Sequence, residues 1–327
     1  MSVRFASIAA SLALSLCLSA EAQAQSFPQP FPTKPLRIIV PYAPGGLIDS
    51  MGRQLAQHLA EPLGQPLVVE NRPGSAGAVG IDAVRQTPAD GHTLLVVDTG
   101  ILITPIIQPR AGFDLRRDMQ VVSIVADTPL VLTLGSAVPA KELKDLIALA
   151  KASPGKLNYS SAGIGTTPHM SGEMLKSQAG VDIVHVPYKG GSAAIADVLS
   201  GQIQMTFLAS TIVAQYLKDG RMRAIASTGT RRSRLLADVP TMAESGFPNF
   251  DVTVWVGLFG PKAVPRDILG RLNDAVKASL QKPEFRASLA RSDVEVLGLA
   301  LEESERMIER EERKWTAVVR ANNVKPD

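Results

Sequence analysis

The chain has 327 residues, 45% hydrophobic and 20% charged, with a formal net charge of +3. That length exceeds one typical core and predicts two packed lobes. The small basic excess and the 5% of aromatic residues argue against nucleic acid as a partner.

Residues 1–24 read as a signal peptide, with Arg4 ahead of an apolar stretch and Ala22-Gln23-Ala24 as the small-x-small cleavage pattern. Cleavage is expected after Ala24, with Ala22 as the alternative, so the mature protein is expected to be exported and soluble. The only cysteine, Cys17, falls in the removed segment, and Leu16 before it is too large for a lipid-attachment site. The mature chain then has no thiol for a disulfide, a nucleophile or a thiolate metal site.

Beyond the leader, short Val/Ile/Leu runs predict strands at 38–40, 67–69, 94–97, 121–125, 131–134, 184–186, 203–207 and 224–226. Helical periodicity predicts helices at 49–63, 76–86, 140–152, 168–179 and 192–200. This alternation predicts an α/β architecture with largely parallel sheets. Residues 121–135 read as two strands broken at 126–129, because Pro129 cannot donate to a ladder. Residues 250–259 read as the return. The expectation is a two-segment hinge joining lobe 1 (25–128 plus 252–327) to lobe 2 (129–251). Helices follow at 265–280 and 301–320, the last with Met307, Ile308, Trp315, Val318 and Val319 on one stripe and a solvated charged face.

Two glycine-bearing turns carry the functional signal. In the first, Pro41 to Asp49, Gly45 and Gly46 permit close backbone approach, and Asp49 is expected to cap the following helix. In the second, Thr167 is the expected N-cap, with Pro168 at the first helical position and Gly180 at the far end. Ser160, Ser161, Thr166 and Thr167 add hydroxyls. A helix start concentrates unpaired N–H groups and partial positive charge, so the pair reads as a clamp for a carboxylate. Gly163-Ile164-Gly165 nearly opens a dinucleotide fingerprint, but Pro168 stands at the third glycine position. A third turn, Asn71 to Gly80, reads as tight packing, with Arg72 expected to pair with Glu70 or Asp82.

No catalytic residue, metal ligand or cofactor is expected. The histidines are scattered; His58 reads as structural and His92 as a turn residue. His169 and Glu173, four apart, lack a third ligand. Ser161 with His169 is better explained by capping than by nucleophilic chemistry, since no Gly-x-Ser-x-Gly elbow occurs.

Ordered motifs run through the mature chain: 34–42 with Gly45, Gly46 and Asp49; Val69-Glu70-Asn71-Arg72-Pro73-Gly74; 89–95; Ser161 through His169 with Gly172-Glu173; His185-Val186-Pro187-Tyr188-Lys189-Gly190; 238–246; and Trp255-Val256-Gly257-Leu258. Through them the chain resembles the Bug-type, or tripartite tricarboxylate transporter, periplasmic substrate-binding receptors. The resemblance implies a type II periplasmic-binding-protein fold that closes on a small organic carboxylate. One carboxylate would be gripped by Tyr42, Gly45, Gly46, Leu47 and Asp49. Opposing contacts would come from Ser161, Gly163, Gly165, Thr166, Thr167 and His169, with Lys189 as a candidate cation. It also implies a monomer that delivers its solute to the membrane components of a tripartite transporter; a sensor presenting the metabolite to a signalling receptor, or an enzyme on the same fold, are the alternatives. Leu47 is bulkier than the residue such receptors often carry there, and 207–211 lacks an acidic residue many of them have, which favours a carboxylate without an amino group.

Overall fold

The computed structural model describes residues 31–188 and 191–326. The signal segment with its cleavage point, and Lys189, lie outside the described residues.

The first half alternates as expected. Strand β1 (Leu36–Val40) is a β-branched run whose Leu36, Ile38, Ile39 and Val40 are fully buried. Helix α1 (Leu47–Leu63) buries Ile48, Met51, Leu55, Leu59 and Leu63 at three- and four-residue spacing and stops at left-handed Gly64. Strand β2 (Leu67–Asn71), a 3-10 turn (Ser75–Gly77), α2 (Ala78–Arg85), β3 (Thr93–Asp98) and α3 (Thr99–Ile107) follow. After short α4 (Leu115–Asp118) comes the long strand β4 (Met119–Gly135). Then come α5 (Leu143–Ala152), β5 (Leu157–Ser161), α6 (Thr167–Ala179), β6 (Ile183–Pro187), α7 (Gly191–Leu199), β7 (Met205–Ala209), α8 (Ser210–Leu217) and β8 (Met222–Ser227). Strand β9 (Thr253–Pro261) returns the chain to α9 (Arg266–Leu280), α10 (Pro283–Arg291), β10 (Glu295–Val296) and α11 (Leu301–Ala321).

The strands form one path, β2-β1-β3-β9-β4-β7-β5-β6, with β8 and β10 also on β4. The expectation of largely parallel sheets needs correction. Pairs β1–β2, β1–β3, β5–β6 and β5–β7 are parallel, and the successive strands β1–β2, β2–β3, β5–β6 and β6–β7 are joined through crossover helices. Every pair involving β4 or β9 is antiparallel.

The expected break at 126–129 is also absent, because β4 runs through it and changes partners instead. From Met119 to Pro129 it pairs with β9, ending at Pro129↔Thr253; from Leu130 it pairs with β7, beginning at Leu130↔Ala209. Pro129 thus puts its missing N–H at the changeover. Side-chain hydroxyls support the chain on both sides of it: Thr128 Oγ1 donates to the Asp293 carbonyl at 3.1 Å, and the Leu130 amide donates to Thr228 Oγ1 at 2.9 Å.

The main core cluster gathers around Trp255, Trp315, Tyr159, Phe207 and Phe250, all fully buried, and a smaller one forms around Val131, Val198, Ile203 and Val213. Helix α11 buries Ile308, Trp315, Val318 and Val319 as its stripe predicts, and packs on both α3 and α6. Its charged face is partly paired: Arg116 holds Glu309 and Glu312, and Arg266 holds Glu302 and Glu305. Arg72 pairs with Glu70, and His58 stacks on Phe285 at 4.3 Å. The third turn is packing, as read: a Cβ at Gly77 would lie 2.3 Å from Ile101 Cδ1, and one at Gly80 2.6 Å from Pro41 Cβ. No helix among the described residues is long and apolar enough to cross a membrane.

Candidate functional site

The first turn is built differently from the expectation. Helix α1 starts at Leu47 with Gly46 as N-cap, two residues before Asp49. Asp49 sits inside the first turn and braces it: Oδ2 accepts the Gly45 amide at 2.9 Å and Arg53 Nε at 3.1 Å, while Oδ1 accepts Arg53 Nη2 at 3.0 Å and Asn71 Nδ2 at 2.9 Å. Hydrogen bonds from Arg53 and then Gly45 hold the Asp49 carboxyl at about 2. Asn71 also donates to the Tyr42 carbonyl at 3.1 Å, tying the third turn to the first. Gly45 needs glycine, at φ +92. Its amide is spent on Asp49, so Gly45 and Asp49 brace the turn against each other. The amides of Gly46, Leu47 and Ile48 have no acceptor among the described residues.

The second turn is likewise shifted by one residue. Thr166 is the N-cap of α6, Thr167 is its first residue and Pro168 its second, while Gly180 ends it in the left-handed region as expected. Behind the turn stands a buried polar cluster. Ser161 Oγ lies 2.7 Å from His185 Nε2 and 3.0 Å from the Gly163 carbonyl, and accepts the Gly163 amide at 3.1 Å. His169 Nδ1 accepts the Gly165 amide at 3.1 Å, and its ring stacks on His185 at 3.9 Å. Tyr159 donates to Glu173 Oε1 at 2.7 Å, and Lys176 reaches the same oxygen at 3.2 Å. Gly163 at φ +136 and Gly165 at φ +79 occupy backbone space that other residues resist. Ser161, Gly163 and His169 thus commit hydrogen-bonding groups to the turn's shape, and Gly165, whose amide is likewise committed, also lines the cavity shared by the two turns. The pairing of Ser161 with His185, not His169, was not legible from spacing, because a strand partner supplies it: β5 lies beside β6.

The two turns meet at a cavity of about 260 Å³. Tyr42, Asp98, Gly100 and Thr104 form one side; Ile164, Gly165, Thr166, Thr167 and Pro168 form the other; Leu130 of β4 and Val254 of β9 lie between. The first turn contributes Tyr42, not its glycines. Tyr42 donates its hydroxyl to Asp98 Oδ1 at 2.6 Å, and Asp98 caps α3 by accepting the Gly100 amide at 3.1 Å. Burial pushes the Asp98 carboxyl up from its ordinary value, and burial followed by the neighbouring Asp98 charge pushes the Tyr42 hydroxyl well up. Sequence reading missed α3 and Asp98. Residues 99–107 are apolar on every face and contain Pro105, so they show no amphipathic stripe. The one available signal was Asp98 itself, a good N-cap residue before a run of unknown period. Among the described residues no group of three His, Cys, Asp or Glu is placed to hold a metal.

The sheet topology and the cavity between two helix starts define a solute-binding protein of the periplasmic-binding type. Residues 51–324 match the model of the tripartite tricarboxylate transporter family receptor, and the chain belongs to that family. It is 32% identical to protein BugT of Bordetella pertussis over 90% of this chain and 91% of that one. Its fold is that of the periplasmic binding protein BugD, at a TM-score of 0.75, 29% identity, and coverage of 91% of this chain and 100% of that one. A Rhodopseudomonas palustris relative, Rpa4515, whose structure contains adipate, superposes at a TM-score of 0.79 with 30% identity, covering 91% of this chain and 100% of that one. The type II fold of two α/β lobes joined by two crossing strands, expected from the resemblance, is therefore the fold of this chain, and its family places it among periplasmic receptors.

Proposed function

We propose that this chain is an extracytoplasmic receptor, without turnover, that captures a small organic carboxylate and delivers it to the membrane components of a tripartite tricarboxylate-type transporter. The protein works as a monomer after loss of residues 1–24. The observation that carries the reading is the shared cavity, which brings Tyr42 together with the Thr166–Thr167 helix start. The lobes divide at 128/129 and 251/252; the change of β4 partners between Pro129 and Leu130 supports that division. The carboxylate is held at this cavity by the amide and hydroxyl of Thr167, with the free amides of Gly46 and Leu47 next along the turn from Tyr42 and Lys189 as further donors, while the Thr166 amide and hydroxyl are spent on the Gly163 carbonyl. Ser161 is too well buried, at 2% exposure, to serve as a nucleophile.

A thermal-shift screen of organic acids tests this. Ligand at about 100-fold excess over its Kd should add about 2.7 kcal/mol of stability. Gly46→Val should keep the unliganded melting temperature, because a Cβ there meets no atom within 4 Å and φ is −82. The same variant should lose about tenfold or more in affinity, because the side chain covers the amides. A screen in which no carboxylate raises the melting temperature would sink the proposal.

A further inference from the structure

Asp98 is the one charged side chain on the cavity wall among the described residues. Its donors are all neutral: the Tyr42 hydroxyl and the Gly100 amide both reach Oδ1, and the backbone amides of Asp98 itself and Ile101 also hydrogen-bond the carboxylate. No Lys or Arg joins it on that wall among the described residues, and Leu130, Ile164 and Val254 make the neighbouring surface apolar. A carboxylate so placed projects negative potential into a space of low polarity, where charge is weakly screened. A second carboxylate on the ligand would meet like charge there, with neutral donors but no cation among the described lining residues to offset it. A hydroxyl or an ammonium would instead gain a charge-assisted hydrogen bond.

We infer that Asp98 is a specificity-determining residue, which selects a monocarboxylate bearing a hydrogen-bond donor, hydroxyl or amino, and rejects a diacid. The inference rests on the reading that this cavity takes the ligand's carboxylate. It reverses the preference against an amino group drawn from 207–211, since the acid missing from that segment is supplied by the end of β3.

Calorimetric titration of the mature protein with two matched sets tests it. One set is hexanoate, ω-hydroxyhexanoate, ω-aminohexanoate and adipate; the other is benzoate, para-hydroxybenzoate, para-aminobenzoate and terephthalate. In at least one set, a donor-bearing member should bind at least about tenfold tighter than both its plain acid and its diacid. Asp98→Asn keeps an oxygen for the Gly100 amide and so retains the cap; it should shrink the preference over the diacid by about tenfold. The hydroxy and amino arms separate the two sources of the donor. A preference under tenfold in the native protein overturns the inference, as does an unchanged preference in a folded Asp98→Asn. The native comparison decides even if the variant misfolds. Binding of diacids alone removes the inference and leaves the receptor reading standing, whereas no binding in either set removes the receptor reading itself.

Discussion

At residue scale, the second turn depends on two neutral imidazoles. His169 Nδ1 accepts the Gly165 amide, which a protonated Nδ1 cannot do. Burial lowers His169 to about 4, and burial with the adjacent His169 lowers His185 to about 3. Unfolded histidines titrate near 6.5. From about pH 6.5 downwards the unfolded chain therefore takes up protons that the native state refuses. The stability contributed by the neutral pair is complete above that value and is lost as pH falls through about 4 for His169 and about 3 for His185. Melting temperature should drop across this window in the native protein, and less steeply in His185→Asn, whose amide can still reach Ser161. Parallel slopes for the two proteins would show that the stacked pair does not govern acid lability.

At the scale of elements, the motif Gly172-Glu173 acquires a packing reason. Gly172 lies within α6, where alanine favours helix by about 1 kcal/mol. Yet a Cβ at Gly172 would stand 2.2 Å from Tyr159 Cε2, on a ring that is fully buried and hydrogen-bonded to Glu173. Overpacking should win, so Gly172→Ala is expected to cost about 1–3 kcal/mol in urea unfolding. An unchanged midpoint would mean that the ring can shift. Helix α6 was legible to within one residue because Pro168 and Gly180 punctuate it. Helix α3 was not, because its apolar residues are spread around the helix and leave no polar stripe to set a period.

Over the whole molecule, one carboxylate fastens the C-terminal segment to residues of the proposed second lobe. Asp293, buried and at φ +57, accepts the hydroxyls of Ser210 and Ser233 on Oδ2 at 2.5 Å each and the Arg234 amide on Oδ1 at 3.0 Å. Around it Arg231 reaches Asp127 at 3.1 Å, and Arg231 and Arg234 both meet Glu295. Asp293→Asn preserves a residue that tolerates positive φ but replaces an acceptor with a donor. It should lower stability by about 1–3 kcal/mol, measured by urea unfolding. No change would show that the two hydroxyls find other partners.

By itself the sequence determined the alternation of strands and helices, the two glycine turns that open α1 and α6, and the family, since these are written in local periodicity, in N-cap and glycine chemistry, and in ordered motifs. The tertiary structure alone decided which atoms of those turns remain available. Asp49, Ser161 and His169 are spent inside their own turns, Asp49 and Ser161 in part by Asn71 and His185 from a neighbouring turn and strand. It also decided that Asp98 shares a cavity with Thr166 and Thr167, a juxtaposition created by β4 exchanging β9 for β7 at Pro129. The physical reason is that hydrogen bonds and pairing register join residues far apart in the chain, and no local pattern encodes which donor a given acceptor will meet.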